Sequence, residues 1–201
     1  MNRRALILGG AAALTLTGGA ALLYRSRPVD PFTGYVGMAA PEEPVQNNLP
    51  QPLLVEHPVA DLWLFAEFSL TALVLSSKTY RDHLSAVIPL DLALGWGPSS
   101  DPDRIRGISY WQRDRWYLYR SSEPLGSEMA WTSANMHMIP ATPLVEDELR
   151  RARKGNLVQL SGHLCDVRFL DRPVYPSSRT RRDTGAGACE VVHVSRFRVL
   201  M

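Results

Sequence analysis

The 201-residue sequence holds only two cysteines, Cys165 and Cys189, no internal repeat, and no uncharged run of 20 residues beyond position 24. The last of these excludes a polytopic membrane protein. Net charge is also scarce. The formal total is +2, and residues 1–30 supply +3 of it through Arg3, Arg4, Arg25 and Arg27 against Asp30. The remainder is nearly neutral, so no global field favours nucleic acid, which is not the expected partner. A Gly-x-Ser-x-Gly elbow is missing, and Ser133 followed by His137 gives no hydrolase signature. His137, between Met136 and Met138, reads as an ordinary strand histidine. Hydrophobic residues at 45% and charged residues at 21% exclude wholesale disorder and collagen.

What is present begins with an address or an anchor. Residues 5–24 form a 20-residue uncharged stretch between Arg3-Arg4 and Arg25. At 1.5 Å per residue it matches a hydrocarbon core of about 30 Å. Paired arginines before a Gly-rich, mildly apolar run resemble a twin-arginine export signal. Small residues for cleavage are poorly placed, so retention as a single-pass anchor (residues 1–27) is expected, with the body on the periplasmic side of the inner membrane, and export to the periplasm after cleavage is the alternative. Residues 28–59 carry seven of the 15 prolines and read as an extended linker, parts of which, such as residues 53–55, can lie against the domain.

The folded body is expected over residues 60–201. Strands are predicted at 68–75, 105–112, 116–120, 136–139, 157–169 and 189–200. Residues 89–96 read as a short helix or turn capped by Asp91. The clearest helix covers 143–154, with Thr142 as N-cap, Pro143 at N1, acids early, bases late and Gly155 after its end. The expected class is therefore mostly β with one helix (α+β). The element order, with a helix before the last two strands, resembles an oligonucleotide/oligosaccharide-binding (OB) fold, a five-stranded Greek-key barrel. In that arrangement the hairpin at 105–120 supplies strands two and three.

Three blocks, residues 91–98 (Asp-Leu-Ala-Leu-Gly-Trp-Gly-Pro), 133–140 (Ser-Ala-Asn-Met-His-Met-Ile-Pro) and 183–190 (Asp-Thr-Gly-Ala-Gly-Ala-Cys-Glu), resemble segments of a group of uncharacterised bacterial envelope proteins. The resemblance implies a compartment and assigns no catalytic residue and no cofactor.

Candidate sites follow from residue chemistry. In an exported protein Cys165 and Cys189, on neighbouring predicted strands, suggest a disulfide. An alternative is a metal site of His163, Cys165, Cys189 and His193, since each pair shares a strand face. The Asp183-Thr184-Gly185 triplet looks like an aspartic-protease loop, but that chemistry needs a second such carboxyl, and Arg179, Arg181 and Arg182 favour ionised Asp183. A glycine turn is the plainer reading. The best binding candidate is the aromatic-basic hairpin, with Arg113, Arg115 and Trp116, joined by Arg179, Arg181 and Arg182. The stretches 104–120 and 168–182 that hold them each carry a local +4 and together suggest a groove for an anionic oligomer, polysaccharide or nucleic acid. The expected function is a membrane-tethered, non-catalytic binding module with a protein or anionic partner in the envelope. An enzyme using Asp183 or the cysteine-histidine set is the competing class.

Overall fold

The computed structural model describes residues 30–201 except Arg181 and Thr184. The proposed anchor at residues 5–24 lies outside the described residues. Among those described, no helix is long and apolar enough to cross a membrane. The structure is mostly β, with few helical residues.

Eight strands appear in chain order: β1 (Val45–His57), β2 (Ala60–Thr79), β3 (Leu90–Gly95), β4 (Ile108–Arg113), β5 (Trp116–Ser121), β6 (Ser133–Pro140), β7 (Leu157–Phe169) and β8 (Glu190–Val199). The helices are α1 (Pro102–Ile105) and α2 (Pro143–Arg151). One sheet runs β1-β2-β3-β6-β8-β7, and β2 also pairs with β7. That extra pairing closes β2, β3, β6, β8 and β7 into a ring. Every neighbour in the ring is antiparallel except β6 and β8, which run parallel.

A strand 20 residues long can serve three neighbours because their registers are staggered. The first half of β2 pairs with β1, its last turns pair with β3, and β7 covers residues 60–73 from the other side. The register slips between Leu64 and Ala66, so Leu64 lies opposite Cys165 and Ala66 opposite Leu164. A bulge of this kind inverts the inward set. Ala66, Phe68, Leu70, Ala72 and Val74 join one core with Leu164, Met136, Met138, Val192 and Val194. Leu62 and Leu64 join a second core with Cys165, Val191 and Ile88. Both faces of the ring are therefore covered there, which explains why Leu164 and Cys165 are both buried.

Helix α2 closes the first core. Thr142 Oγ1 accepts from the Val145 N–H at 3.3 Å, Pro143 occupies the first turn, and Arg150 pairs with Glu146. Val145, Leu149 and the following Ala152 enter the apolar interior. Gly155 then turns the chain at φ 92°, and a Cβ there would meet the Pro31 carbonyl.

Four expectations change. Residues 45–57, assigned to the linker, form edge strand β1. Its Pro50 and Pro52 fall inside the register break between Asn48 and Leu53, where a missing N–H costs no ladder bond. Residues 90–95, read as helix or turn, are strand β3. All six are buried, so the run lacks the alternation that marks a half-buried strand. The hairpin forms as expected, but β4 and β5 make a separate two-stranded sheet outside the ring. The helix ends three residues earlier, at Arg151.

At Gly162, beside the β7–β8 register shift, an added Cβ would land on the His193 carbonyl and 3.0 Å from the Val194 Cα. Both obstacles are backbone. Gly162→Ala is expected to destabilise the protein by about 1–3 kcal/mol or more in urea unfolding. Exposed Gly107, with nothing within 4 Å of a new Cβ, should accept alanine with no comparable loss.

Candidate binding cleft and the Asp91 network

The hairpin turn is built at a conformational cost. Asp114 and Arg115 have φ of 52° and 68°, the left-handed pair that a two-residue hairpin turn requires. Glycine or asparagine suits these positions, and an arginine there costs on the order of 1–3 kcal/mol. What offsets it is the destination of the side chain. Arg115 donates through Nη1 to Asp91 Oδ1 at 2.9 Å, through Nε and Nη2 to the Asp82 carboxylate at 2.9 and 2.8 Å, and through Nη2 to the Ile88 carbonyl at 2.9 Å. Its guanidinium also stacks 3.9 Å from the centre of the Tyr80 ring.

Asp91 is the hub. It sits on β3 with 0% exposure. A buried carboxylate demands compensation, and here it faces Arg115, the Asn135 amide at 3.3 Å and His137 Nδ1 at 2.9 Å. The histidine contact is close but not aligned as a hydrogen bond. The far nitrogen of His137, Nε2, lies 2.9 Å from the Tyr175 hydroxyl. Gln112 on β4 donates to Asn135 Oδ1 at 3.0 Å. The antiparallel β3–β6 pairing thus places Asp91, Asn135 and His137 on adjacent registers, since Asp91 pairs with His137 and Ala93 with Asn135.

The segment before β8 forms the opposite wall. Tyr175 makes an isolated bridge to Val167, the Ser177 N–H donates to Asp166 Oδ1, and the Val191 N–H donates to Ser177 Oγ. The Ser178 hydroxyl donates to Asp183 Oδ2 at 2.7 Å. These bonds hold the segment over β7 and β8. Between it and the hairpin lie two adjoining clefts of about 340 and 360 Å³. Trp116 and Cys189 border both. The first is walled by Trp96, Leu118 and Tyr119, with Asp183 and Glu190 among its polar lining. The second reaches His137 and Tyr175 past Gly185 and Gly187. Burial pushes the Cys189 thiol up to about 12; the Asn135 amide opposes this and the nearby Glu190 and Asp91 carboxylates add to it. The thiol is therefore protonated at neutral pH and a poor nucleophile. Burial likewise raises Tyr175 above the ordinary phenol range.

The expected site residues separate. Arg115 and Trp116 are at the clefts, but Arg115 is spent on Asp82 and Asp91. Arg113 is exposed and pairs with its neighbour Asp114. Arg179 pairs with Asp166 at 2.6 Å and stacks on Phe65, away from the hairpin. Arg182 is exposed, and Arg181 lies outside the described residues. The cationic groove is thus not assembled from Arg115 and Arg179. Cys165 and Cys189 are free thiols. Because Leu164 pairs with Val192, the register carries Cys165 toward Val191 in the second core, while Cys189 stands beside Asn135. Nor does the proposed metal set form: among the described residues no group of three or more His, Cys, Asp or Glu is placed to hold an ion. His163 and His193 do pair across β7 and β8, but Cys165 and Cys189 do not join them. Asp91, Gln112, Asn135 and Tyr175 were missed, since each needs a partner distant in sequence. No family model matches the chain, and no curated protein or solved structure matches it.

Two outcomes are expected. Arg115→Met leaves Asp91 buried without its cation and should cost about 3–5 kcal/mol in urea unfolding. Asp82→Asn, at a partly exposed carboxylate, should cost about 1 kcal/mol or less. Burial, reinforced by His163, lowers the pKa of His193 below 6.5. The unfolded chain therefore takes up the proton first, so stability is full above the unfolded value and falls as the pH drops through the folded one. Melting temperatures measured between neutral and mildly acid pH should fall in the wild type and fall less in His193→Gln.

Proposed function

We propose that the protein is a membrane-anchored, envelope-facing binding module that acts without catalysis and takes a segment of a partner protein in the cleft beside Trp116. The carrying observation is the composition of that cleft. Its walls are Trp96, Trp116, Leu118 and Tyr119, and the exposed Asp183 carboxylate lines it. The nearest buried cation, Arg115, is bound to two aspartates. Such a surface suits an apolar or aromatic side chain flanked by a basic one better than an anionic oligomer or nucleic acid. The protonated Cys189 thiol weighs against nucleophilic catalysis.

The barrel is assigned to the OB type. Supporting this are the ring order β2-β3-β6-β8-β7, the parallel β6–β8 pair, and α2 between the third and fourth ring strands. The hairpin is then an insertion between the second and third ring strands. A periplasmic body on a single inner-membrane span rests on the sequence of residues 1–27.

The test is photo-crosslinking in producing cells, with a photoreactive residue in place of Tyr119 and, as control, in place of Lys78. A discrete protein adduct is expected at the first position and not the second, and Trp116→Ala should remove it without altering the melting temperature appreciably, because Trp116 is 50% exposed. Adducts to polysaccharide or nucleic acid, or equal adducts at both positions, would overturn the reading.

A further inference from the structure

The β4–β5 hairpin has two unlike faces. Cross-strand pairs share a face, so Ile108–Ser121, Tyr110–Tyr119 and Gln112–Tyr117 lie on one side, and Ser109–Arg120, Trp111–Leu118 and Arg113–Trp116 on the other. The first face turns toward the body: Ile108, Tyr110 and Tyr117 pack with Phe32, Ile105 and Met129, and Gln112 reaches Asn135. Among the described residues the second face carries no strand or helix over it, although Trp116 and Leu118 at its β5 edge also border the cleft described above. Trp111 is 36% exposed, Leu118 37% and Trp116 50%, and Arg113 and Arg120 are exposed beside them. Indole, leucine and guanidinium in one plane form an interfacial surface: rings and alkyl stems suit the level of lipid headgroups, and guanidinium pairs with phosphate.

The position of Asp30 and Phe32 supplies the second observation. Arg106 donates to Asp30 Oδ2 at 2.8 Å, and Phe32 packs in the same cluster as Ile108 and Tyr110. The chain therefore joins the described fold at the root of this hairpin. Asp30 is only six positions beyond Tyr24, the last of the uncharged run. Fully extended, six residues span about 20 Å, and a six-residue strand is also about 20 Å long. A body tethered so closely holds its hairpin within reach of the bilayer from which the tether emerges.

We propose that the Trp111–Leu118 face of the hairpin rests on the anionic surface of the membrane that holds the anchor, with Arg113 and Arg120 on lipid phosphates. This placement rests on the anchor reading given above. It also fixes the orientation of the body, with the Trp116 cleft opening along the β5 side of the membrane-apposed sheet.

The full chain, reconstituted into vesicles of equal parts phosphatidylglycerol and brominated phosphatidylcholine, tests it. Bromine in the upper acyl chain is expected to quench tryptophan emission, and Trp111→Phe should remove a clear part of that quenching, while Trp63→Phe should not. Combined Arg113→Glu and Arg120→Glu, or omission of phosphatidylglycerol, should weaken it. A chain that resists carbonate extraction but whose Trp111 contribution is unquenched overturns the hairpin placement and leaves the anchor standing. A chain released by carbonate overturns both. Quenching of the same size with and without the two arginines overturns the headgroup pairing, and protection of Trp111 only when other envelope proteins are present assigns the face to a protein instead.

Discussion

A carboxylate without water is the constraint around which this structure is arranged. Asp91 is the second residue of a strand that is buried along its whole length, and no part of its side chain reaches the surface. Arg115 answers it, and to do so must come from a hairpin that the ring of strands does not include. The turn carrying Arg115 adopts left-handed geometry at two non-glycine residues, which nothing local favours. The ion pair, the stacking on Tyr80 and the bonds to Asp82 and Ile88 offset that cost. One interaction thereby fastens the hairpin, strand β3 and the 80–88 segment to each other. It also sets one wall of the cleft, since Trp116 follows directly in the chain.

Closure of the ring has a related consequence for how the sequence reads. Helix α2 was legible because its signals are local: a threonine cap, a proline in the first turn, opposite charges four apart. Strands β7 and β8 were legible by their valine and leucine content, and the hairpin by alternation around a polar turn. Strand β3 was not, because cores lie on both of its faces and alternation vanishes when both sides are apolar. Asp91 then looked like a cap, the usual role of an aspartate before an apolar run. Edge strand β1 was hidden by proline, which is excluded from a central strand but harmless in the register break where Pro50 and Pro52 fall.

The site was less legible than the fold. Counting arginines measured the charge of a stretch of chain, whereas binding depends on charge left over after pairing. Arg115 and Arg179 are each held by an aspartate 13 or more positions away in sequence. Trp116 was found because its exposure does not depend on a distant partner. Asn135 and Tyr175 gave no signal at all. The cysteines were paired by compartment logic, but a disulfide depends on register, and the register sends Cys165 into an apolar core and leaves Cys189 at the cleft.

Those two facts together separate the roles of charge in this molecule. Arginines facing inward hold the architecture, and their partners are aspartates within the same fold. Arginines on the outer face of the hairpin have a neighbour in sequence or solvent, and they alternate with tryptophan and leucine. A surface of that composition is costly to leave in water unless something covers it, because indole and leucine gain little from solvent. The chain reaches the hairpin root at Asp30, six residues from an uncharged run long enough to enter a bilayer. On the anchor reading proposed above, that brings the exposed hairpin face and the apolar phase into the same neighbourhood. The inward arginine holds the hairpin turn against β3, and the same fastening at Asp91 keeps Trp116 at the mouth of the cleft.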